Sequence, residues 1–252
     1  MYQERAVFFL DILGFGKKVE KAADDPVLMK KISDSLNLIA SLPNAQNSTS
    51  TGFLISLLKG QSLPKSDVQV LTFSDSLVIS VSCEQPEAVA ALLAVVQRVQ
   101  YELLDVGLLS RGGGDIGLLT HEPNGIMFGP AFNSAYDLEN KLAKNPRILV
   151  GQNYIDFLEK FGFDDAELIE SKLLTSYPDG PFGIDSYSWV NTVMNKGAIG
   201  ILKKFISDVD QEIKENRYEP SVYGKLEWHK KQMVIAAKAS DKYDQYADRL
   251  PI

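Results

Sequence analysis

The sequence contains few of the residues that build disulfides and zinc sites. It has one cysteine, Cys83, and two histidines, His121 and His229, in 252 residues. A single cysteine excludes an internal disulfide and a cysteine-based zinc site. Neither histidine lies at metal-ligand spacing from another ligand, so we interpret both as polar residues of the surface or of an interface.

Basic charge and long apolar runs are also lacking. The formal net charge is −7 and the isoelectric point is about 5.0, which argues against a protein that coats nucleic acid. Any bound phosphate must be met locally, by a metal, by backbone amides or by a few arginines. No segment reaches the roughly 20 apolar residues of a membrane span, and the first residues do not resemble a signal peptide. We therefore expect a cytoplasmic protein without nucleic-acid or membrane partners.

The apolar residues that are present, 45% of the chain, predict an α/β (α+β) fold with a full core. Periodicity and punctuation predict alternating strands and helices in the first half. The predicted elements are a strand at 5–13, a helix from Pro26 to before Pro43, strands at 67–73 and 76–82, a helix from Pro86 to about Gly107, and a strand at 108–119. This is the βαββαβ order of a ferredoxin-like sheet. A polar stretch at 44–52 is predicted to be a loop.

The second half predicts a C-terminal strand and helix extension. We place the core at residues 1–150 and the extension, packed on the same domain, at 151–252. Its predicted elements are a helix at 154–161, strands at 167–174 and 182–190, and two polar helices at 195–216 and 219–239. These last helices could contribute to dimerisation.

Two lone carboxylates interrupt apolar strands. Asp11 ends the run that begins at Val7, and no Lys or Arg follows it until Lys17. Asp75 lies at the predicted turn between the second and third strands. A buried carboxylate needs a partner, and the first and third strands of a ferredoxin-like sheet are neighbours. Asp11 and Asp75 can therefore converge, which indicates a divalent-cation site.

The strand at 108–119 contains Arg111 followed by three consecutive glycines. Glycines weaken a strand, and they are typical of a place where a ligand or another backbone approaches closely.

Four segments together resemble the class III nucleotidyl cyclases. Phe-Leu-Asp-Ile-Leu-Gly-Phe at 9–15 and Phe-Ser-Asp-Ser at 73–76 resemble the two metal motifs of that family. Arg-Gly-Gly-Gly-Asp-Ile-Gly at 111–117 resembles its Arg-x-Gly-Ile-x-x-Gly strand, and Gly-Pro-Ala-Phe-Asn-Ser-Ala at 129–135 its Asn-containing helix start. The order is right, and the resemblance covers about residues 7–150.

The resemblance implies a site for two divalent cations, Mn²⁺ or Mg²⁺, and for a nucleoside triphosphate. Its implied metal ligands are Asp11, Ile12 and Asp75. Its implied phosphate-binding backbone is Leu13, Gly14, Phe15 and Gly16. Arg111 would clamp a phosphate and stabilise transition-state charge, and Asn133 would orient the substrate.

Two departures from the family narrow the resemblance. Asp137 stands where purine cyclases have a transition-state arginine, so Arg111 or Arg147 is left to replace it, or turnover is impaired. Leu71 and Ile126 stand where purine cyclases hydrogen-bond the base, so recognition of adenine or guanine by the usual pair is lost.

With the segments at 128–131, 138–139 and 145–148, these departures resemble the pyrimidine cyclases of bacterial Pycsar antiphage systems. That resemblance implies a homodimer, conversion of UTP or CTP to cyclic UMP or cyclic CMP, and a separate effector that binds the product.

Other interpretations stay open. Asp11 could be a cap or turn residue, Arg111 a surface ion pair, and Asn133 a polar residue near a helix start. The chain could also be a purine cyclase with an atypical base pocket, or a catalytically inactive nucleotide-sensing module.

Overall fold

A computed structural model describes residues 1–40, 67–122 and 125–251 of the chain. They form two compact units, Met1–Asp185 and Ser186–Ile252. The loop predicted at 44–52 and the predicted helix end before Pro43 lie outside the described residues. Every helix in the described part of the chain is too short or too polar to span a lipid bilayer.

The first unit is built on one eight-stranded mixed sheet with helices on its faces. Its strands are β1 (Gln3–Leu13), β2 (Gln69–Phe73), β3 (Ser76–Ser82), β4 (Leu109–His121), β5 (Met127–Phe128), β6 (Ile148–Val150), β7 (Leu174–Ser176) and β8 (Phe182–Ile184). Its helices are α1 (Phe15–Ala22), α2 (Pro26–Ala40), α3 (Pro86–Asp105), α4 (Pro130–Asp137), α5 (Gln152–Lys160) and α6 (Asp165–Glu170).

The strand order confirms the ferredoxin-like core. The sheet runs β2-β3-β1-β4-β6-β8-β7, with β5 paired to β4. Strand β1 is antiparallel to both β3 and β4, so it is the centre of the four-stranded core. Strand β6 joins β4 in parallel, and β8 and β7 extend the sheet beyond it.

Side-chain alternation along β1 creates two cores, one on each face of the sheet. Phe8 and Leu10 belong to the large core, which also contains the apolar faces of α3 and α5. Val7 and Phe9 belong to a smaller core on the opposite face, built with Ala131 and Ala135 of α4 and covered by that short helix. Asp11, two residues after Phe9, therefore lies on the α4 face.

The segment that follows Gly14 at the end of β1 is a helix. Gly14 has a φ of 68°, in the left-handed region that favours glycine, and α1 begins at the next residue. The predicted helix start at Pro26 is confirmed, because Asp25 caps α2 by accepting from the amides of Val27 and Leu28, each at 3.0 Å. Glycine lowers helix propensity, and this is why the Phe15–Ala22 segment gave no helical prediction.

Two predicted strands are partly helical. Asp164 accepts hydrogen bonds from the amides of Ala166 and Glu167, which starts α6 where a strand at 167–174 was predicted. The strand predicted at 182–190 ends at Ile184. The sheet also continues through β7 and β8, and the first compact unit reaches Asp185.

The second unit is helical within the described residues. Its elements are α7 (Ser188–Asn195), α8 (Ile199–Glu215), α9 (Pro220–Lys238), α10 (Tyr243–Tyr246) and a 3₁₀ turn, Ala247–Arg249. The positions of α8 and α9 confirm the two long helices predicted from the sequence. They share an apolar core with α7 that includes Val190, Met194, Ile206 and Met233.

Candidate functional site

The two predicted metal carboxylates come from adjacent segments of the sheet. Asp11 is the Cα partner of Ser76 on β3, the residue that follows Asp75. The amide of Ile12 donates to the carbonyl oxygen of Asp75 at 2.7 Å. The prediction that β1 and the β2–β3 turn converge at Asp11 and Asp75 is confirmed for the backbone.

Asp75 lies in the tight turn that joins β2 to β3. Ser74 before it has a φ of 53°, a left-handed conformation that short polar residues tolerate in turns. Asp75 is exposed, whereas Asp11 is half-buried at the end of β1. A ligand approaching from solvent would therefore meet Asp75 first.

Asp11 has a cationic partner inside the protein. Arg111 is its Cα partner on β4, and the Nε of Arg111 donates to Oδ2 of Asp11 at 3.1 Å. The sequence suggested a metal ion as the natural partner of Asp11 because no basic residue lies near it in sequence. The fold supplies Arg111 from 100 residues away, so the carboxylate is stabilised by the protein itself.

Glu139 is the residue of this cluster that sequence reasoning missed. Its Oε1 lies 2.7 Å from Nη2 of Arg111, and its side chain is only 3% exposed. Burial raises the pKa of Glu139 above its usual value, while the charge of Arg111 opposes that shift. Arg111 is therefore shared between two carboxylates, Asp11 and Glu139.

A spacing in the sequence could have revealed Glu139. Ala131, Ala135 and Glu139 follow each other at intervals of four, and all three are buried, as expected for one face of a helix. Glu139 lies in a π-helical turn, Leu138–Leu142, that continues α4. Such turns are frequent at functional sites.

The three glycines after Arg111 allow α4 and β1 to pack directly on β4. A Cβ at Gly113 would lie 2.4 Å from the carbonyl oxygen of Ala135 and 2.5 Å from Cβ of Leu138. A Cβ at Gly114 would overlap the ring of Phe8. Of the two predicted reasons for these glycines, close approach of another part of the chain is the one observed, and it brings Glu139 to Arg111.

The predicted phosphate-binding backbone, residues 13–16, includes the N-terminus of helix α1. The amide of Lys18 is bonded to the carbonyl of Gly14 at 3.1 Å, so α1 begins with Phe15. The first amides of a helix have no acceptor within it, and they favour anions. Because Gly14 follows β1 almost at once, these amides lie close along the chain to Asp11 and Ile12.

Of the two predicted base-pocket residues, Leu71 lies near the chain at Gly125, the residue before Ile126. Leu71 of β2 is half-buried beside the smaller core, and its Cδ1 lies 3.6 Å from the position that a Cβ on Gly125 would take. Ile126, the next residue, is 50% exposed. Both side chains are aliphatic, so neither can hydrogen-bond a base.

The other predicted site residues differ in their exposure and in their ion-pair partners. Asn133 is exposed on α4. Asp137, on the same helix, pairs with Lys141 at 2.7 Å. Arg147 is 5% exposed, and it donates to both carboxylate oxygens of Asp179 at 2.7 and 2.6 Å. Both arginines considered as replacements at position 137 are thus held in ion pairs, Arg147 by Asp179 and Arg111 by Asp11 and Glu139.

The donor set fits a small divalent cation that keeps part of its shell for water and substrate. Among residues 1–40, 67–122 and 125–251, no three His, Cys, Asp or Glu side chains form a group that could hold a metal. Mg²⁺ commonly binds one or two protein carboxylates together with substrate phosphates. Asp11 and Asp75, which lie on adjacent segments, would supply these two carboxylates. The backbone carbonyl of Ile12 could add a third oxygen.

The sequence matches no protein-family model and no curated protein sequence. Among solved structures, a class III adenylyl cyclase-like ATP-binding protein from Pseudomonas aeruginosa is similar over 68% of this chain and 40% of its own length, at 14% identity and a TM-score of 0.40. A bacterial light-regulated adenylyl cyclase is similar over 62% of this chain and 45% of its own, at 16% identity and a TM-score of 0.33.

The chain therefore spans less than half the length of either structure. With identities and TM-scores this low, the basis for a functional argument is the strand order and the geometry of the site.

Proposed function

We propose that this chain is a nucleotidyl cyclase of the class III type, and that it converts UTP or CTP to the 3′,5′-cyclic monophosphate and pyrophosphate. The observation that carries the proposal is the convergence of three features at the end of β1. These are the carboxylate of Asp11, the Asp75 turn bonded to Ile12, and the N-terminus of α1. Divalent cation and triphosphate would meet at this convergence.

The reaction that fits these groups is an intramolecular phosphoryl transfer. The ribose 3′-oxygen attacks the α-phosphorus, the bond from that phosphorus to the bridging oxygen of the β-phosphate breaks, and pyrophosphate leaves. The 3′-hydroxyl proton passes to solvent. Two bound Mg²⁺ or Mn²⁺ ions would lower the pKa of the 3′-hydroxyl and stabilise the leaving group.

The residues of the chain would divide the remaining work. Asp11, Asp75 and the carbonyl of Ile12 hold the cations, and the amides at the start of α1 bind phosphate oxygens. Arg111 lies on the same sheet face and offers a guanidinium to charge that develops in the transition state. Asn133 orients the ribose or α-phosphate from α4.

The preference for a pyrimidine rests on the base pocket. Both predicted base-pocket residues, Leu71 and Ile126, are aliphatic, and the side chain of Leu71 lies near Gly125, the residue before Ile126. A site without the hydrogen-bonding side chains that read a purine edge loses discrimination for adenine or guanine. We extend this proposal to a homodimer, to a cytoplasmic location, and to an antiphage signal read by a separate cyclic-nucleotide-binding effector.

A second candidate function is a catalytically inactive nucleotide-binding module. The observation that favours it is that the charged residues considered for this role are all paired within the chain: Asp137 with Lys141, Arg147 with Asp179, and Arg111 with Asp11 and Glu139. Such a module would bind a triphosphate without releasing pyrophosphate.

The experiment that separates these functions is incubation of the purified protein with each of the four nucleoside triphosphates and Mn²⁺. The proposal expects cyclic UMP or cyclic CMP, identified by mass spectrometry. A cyclic purine product would support the purine cyclase instead, and binding without any product the inactive module. Asp75→Ala is the matched control, because it removes one exposed carboxylate from a turn and should abolish product without unfolding the chain.

A further inference from the structure

We infer that Glu139 is a positioning residue: it fixes the Arg111 guanidinium between two carboxylates, so that Asp11 keeps the negative charge a divalent cation needs. The inference rests on the proposed function for its metal, and on the geometry of three residues for everything else. Arg111 contacts Asp11 through Nε and Glu139 through Nη2. Both anions therefore hold the same planar group through different nitrogens.

Burial distinguishes the two carboxylates. The side chain of Glu139 is 3% exposed, and that of Asp11 is 23% exposed. Glu139 is enclosed by the chain, and leaving its charge without Arg111 would be costly. Asp11 retains access to solvent, and a carboxylate oxygen has more than one lone pair. A cation from solution can therefore reach Asp11, whereas Glu139 serves only Arg111.

The net charge of Asp11, Arg111 and Glu139 determines how well this cluster would attract a cation. A lone Arg111 beside Asp11 would neutralise that carboxylate and repel a second cation. With Glu139 added, the three ionised groups carry one net negative charge. Groups beyond the direct ligands commonly set metal affinity by factors of about 10–100, and Glu139 would act in this way through Arg111.

The backbone makes this arrangement rigid. Glu139 is on the π-helical turn that follows α4, and its amide lies 3.1 Å from where a Cβ on Gly113 would be. Gly113 is two residues from Arg111 on the same face of β4. The close packing at this glycine sets the distance between the Glu139 carboxylate and the Arg111 guanidinium.

The test is a double-mutant cycle on Mn²⁺ affinity, measured by electron paramagnetic resonance without nucleotide. Glu139→Gln keeps the shape and an acceptor for Arg111, and removes the charge. We expect it to weaken Mn²⁺ binding about 10-fold. In the Arg111→Gln background the same substitution should change the affinity less than about 2-fold, because residues that act through one another are not additive.

A second measurement needs no metal. The ¹⁵N order parameter of the Arg111 Nε group should fall in Glu139→Gln, because one of its two anchors is weakened. The matched control is Glu102→Gln, which also removes a carboxylate paired with an arginine, Arg98, but from α3 on the opposite face of the sheet. This control should change neither the Mn²⁺ affinity nor the Arg111 signal.

Three results would overturn the inference: an unchanged Mn²⁺ affinity in Glu139→Gln, an equal loss in both backgrounds, or an unchanged Arg111 order parameter. A purely structural role for Glu139 would lower the thermal midpoint and leave both other readouts alone. Failure of the wild-type protein to bind Mn²⁺ both alone and together with a nucleoside triphosphate would contradict the proposed function. The Arg111 order parameter would then decide the positioning role by itself.

Discussion

The two ends of β1 carry opposite charges in opposite kinds of environment. Near its start, Arg5 is 1% exposed. Its guanidinium donates to Ser80 Oγ at 3.0 Å, to Gln3 at 3.2 Å, and to both the side chain and the carbonyl of Asp67. Near the end of the strand, Asp11 is half-buried, with Arg111 as its ion-pair partner.

The two ends of β1 differ in whether their charged groups are closed off by the protein or open to solvent. Arg5 belongs to a closed network, which continues from Ser80 to Nδ1 of His121 at 2.8 Å. Burial alone would raise the pKa of Asp67, but hydrogen bonds from Arg5 and Gln69 hold it below its usual value. The Asp11 cluster is open to solvent on one side, as a binding site must be. The Arg5 end should therefore govern stability, and the Asp11 end activity.

The largest expected effect is the loss of activity in Asp11→Ala. Removing a proposed metal ligand should lower product formation at least about 100-fold, since even indirect contacts to metals are worth about 10–100-fold. Cyclic nucleotide formation with Mn²⁺ measures the activity, and urea unfolding measures the fold. An active Asp11→Ala variant would remove the metal assignment.

The substitution Arg5→Met should lower the stability of the protein, whereas Asp11→Ala should lower its activity. Arg5→Met leaves the buried Ser80 hydroxyl without its charged donor, and a hydrogen bond to a charged group contributes about 1.5–3 kcal/mol. Asp67 loses the same partner, but its side chain is 49% exposed and adds little. Urea unfolding should show this loss. Lys30→Met, which removes a cation from an exposed pair with Asp34, is the control and should change stability by less than about 1 kcal/mol. A stable Arg5→Met variant would mean that the Arg5 network is not a structural one.

A smaller loss of stability is expected when the close packing of α4 on β4 is disturbed at Gly113. Gly113→Ala should destabilise the protein by about 1–3 kcal/mol, because its Cβ would meet the backbone of α4 at 2.4 Å. Gly117→Ala on the same strand is the matched control, since its Cβ would find its nearest neighbour at 3.5 Å, an ordinary contact. Thermal unfolding of both variants measures the difference. Equal stabilities would show that α4 does not pack on β4 as described.

A further effect is a pH dependence of stability at the Arg5 end. Burial, together with the charge of Arg5, lowers the pKa of His121 to about 4 from an ordinary 6.5. Below about pH 6.5 the unfolded chain binds a proton that the folded protein refuses until about pH 4, so stability should fall as the pH falls through this window.

His121→Asn should flatten this pH slope in urea titrations between pH 7 and 5. The slope should not vanish, because burial also lowers the pKa of His229 in the second unit to about 4. A slope identical to that of the wild-type protein would contradict the burial of His121.

The sequence was sufficient for the parts of the site that depend on local pattern. The run before Asp11, the turn at Ser74 and Asp75, and the order of elements together predict which strands are neighbours, because a βαββαβ chain has few ways to pair its strands. The meeting of Asp11 with the Asp75 turn followed from that topology.

The sequence could not predict the contacts that depend on the register between strands or on the geometry of a helix end. Arg111 faces Asp11 only because β4 pairs with β1 in one register, in which three glycines oppose Phe8, Phe9 and Leu10. Glu139 lies in a π-helical turn, and its spacing from Ala131 and Ala135 indicates a buried helix face but does not identify Arg111 as its partner. Helix α1 was missed because glycines at 14 and 16 are typical of turns, although Gly14 serves as its left-handed cap.

The most direct test of the proposed function is a competition among the four nucleoside triphosphates in one equimolar mixture with Mn²⁺ and the purified protein. Mass spectrometry of the products measures which substrate is cyclised, and Asp75→Ala provides the blank. We expect cyclic UMP or cyclic CMP as the main product, with pyrophosphate in equal amount. Cyclic AMP or cyclic GMP as the main product, or no cyclic product at all, would contradict it.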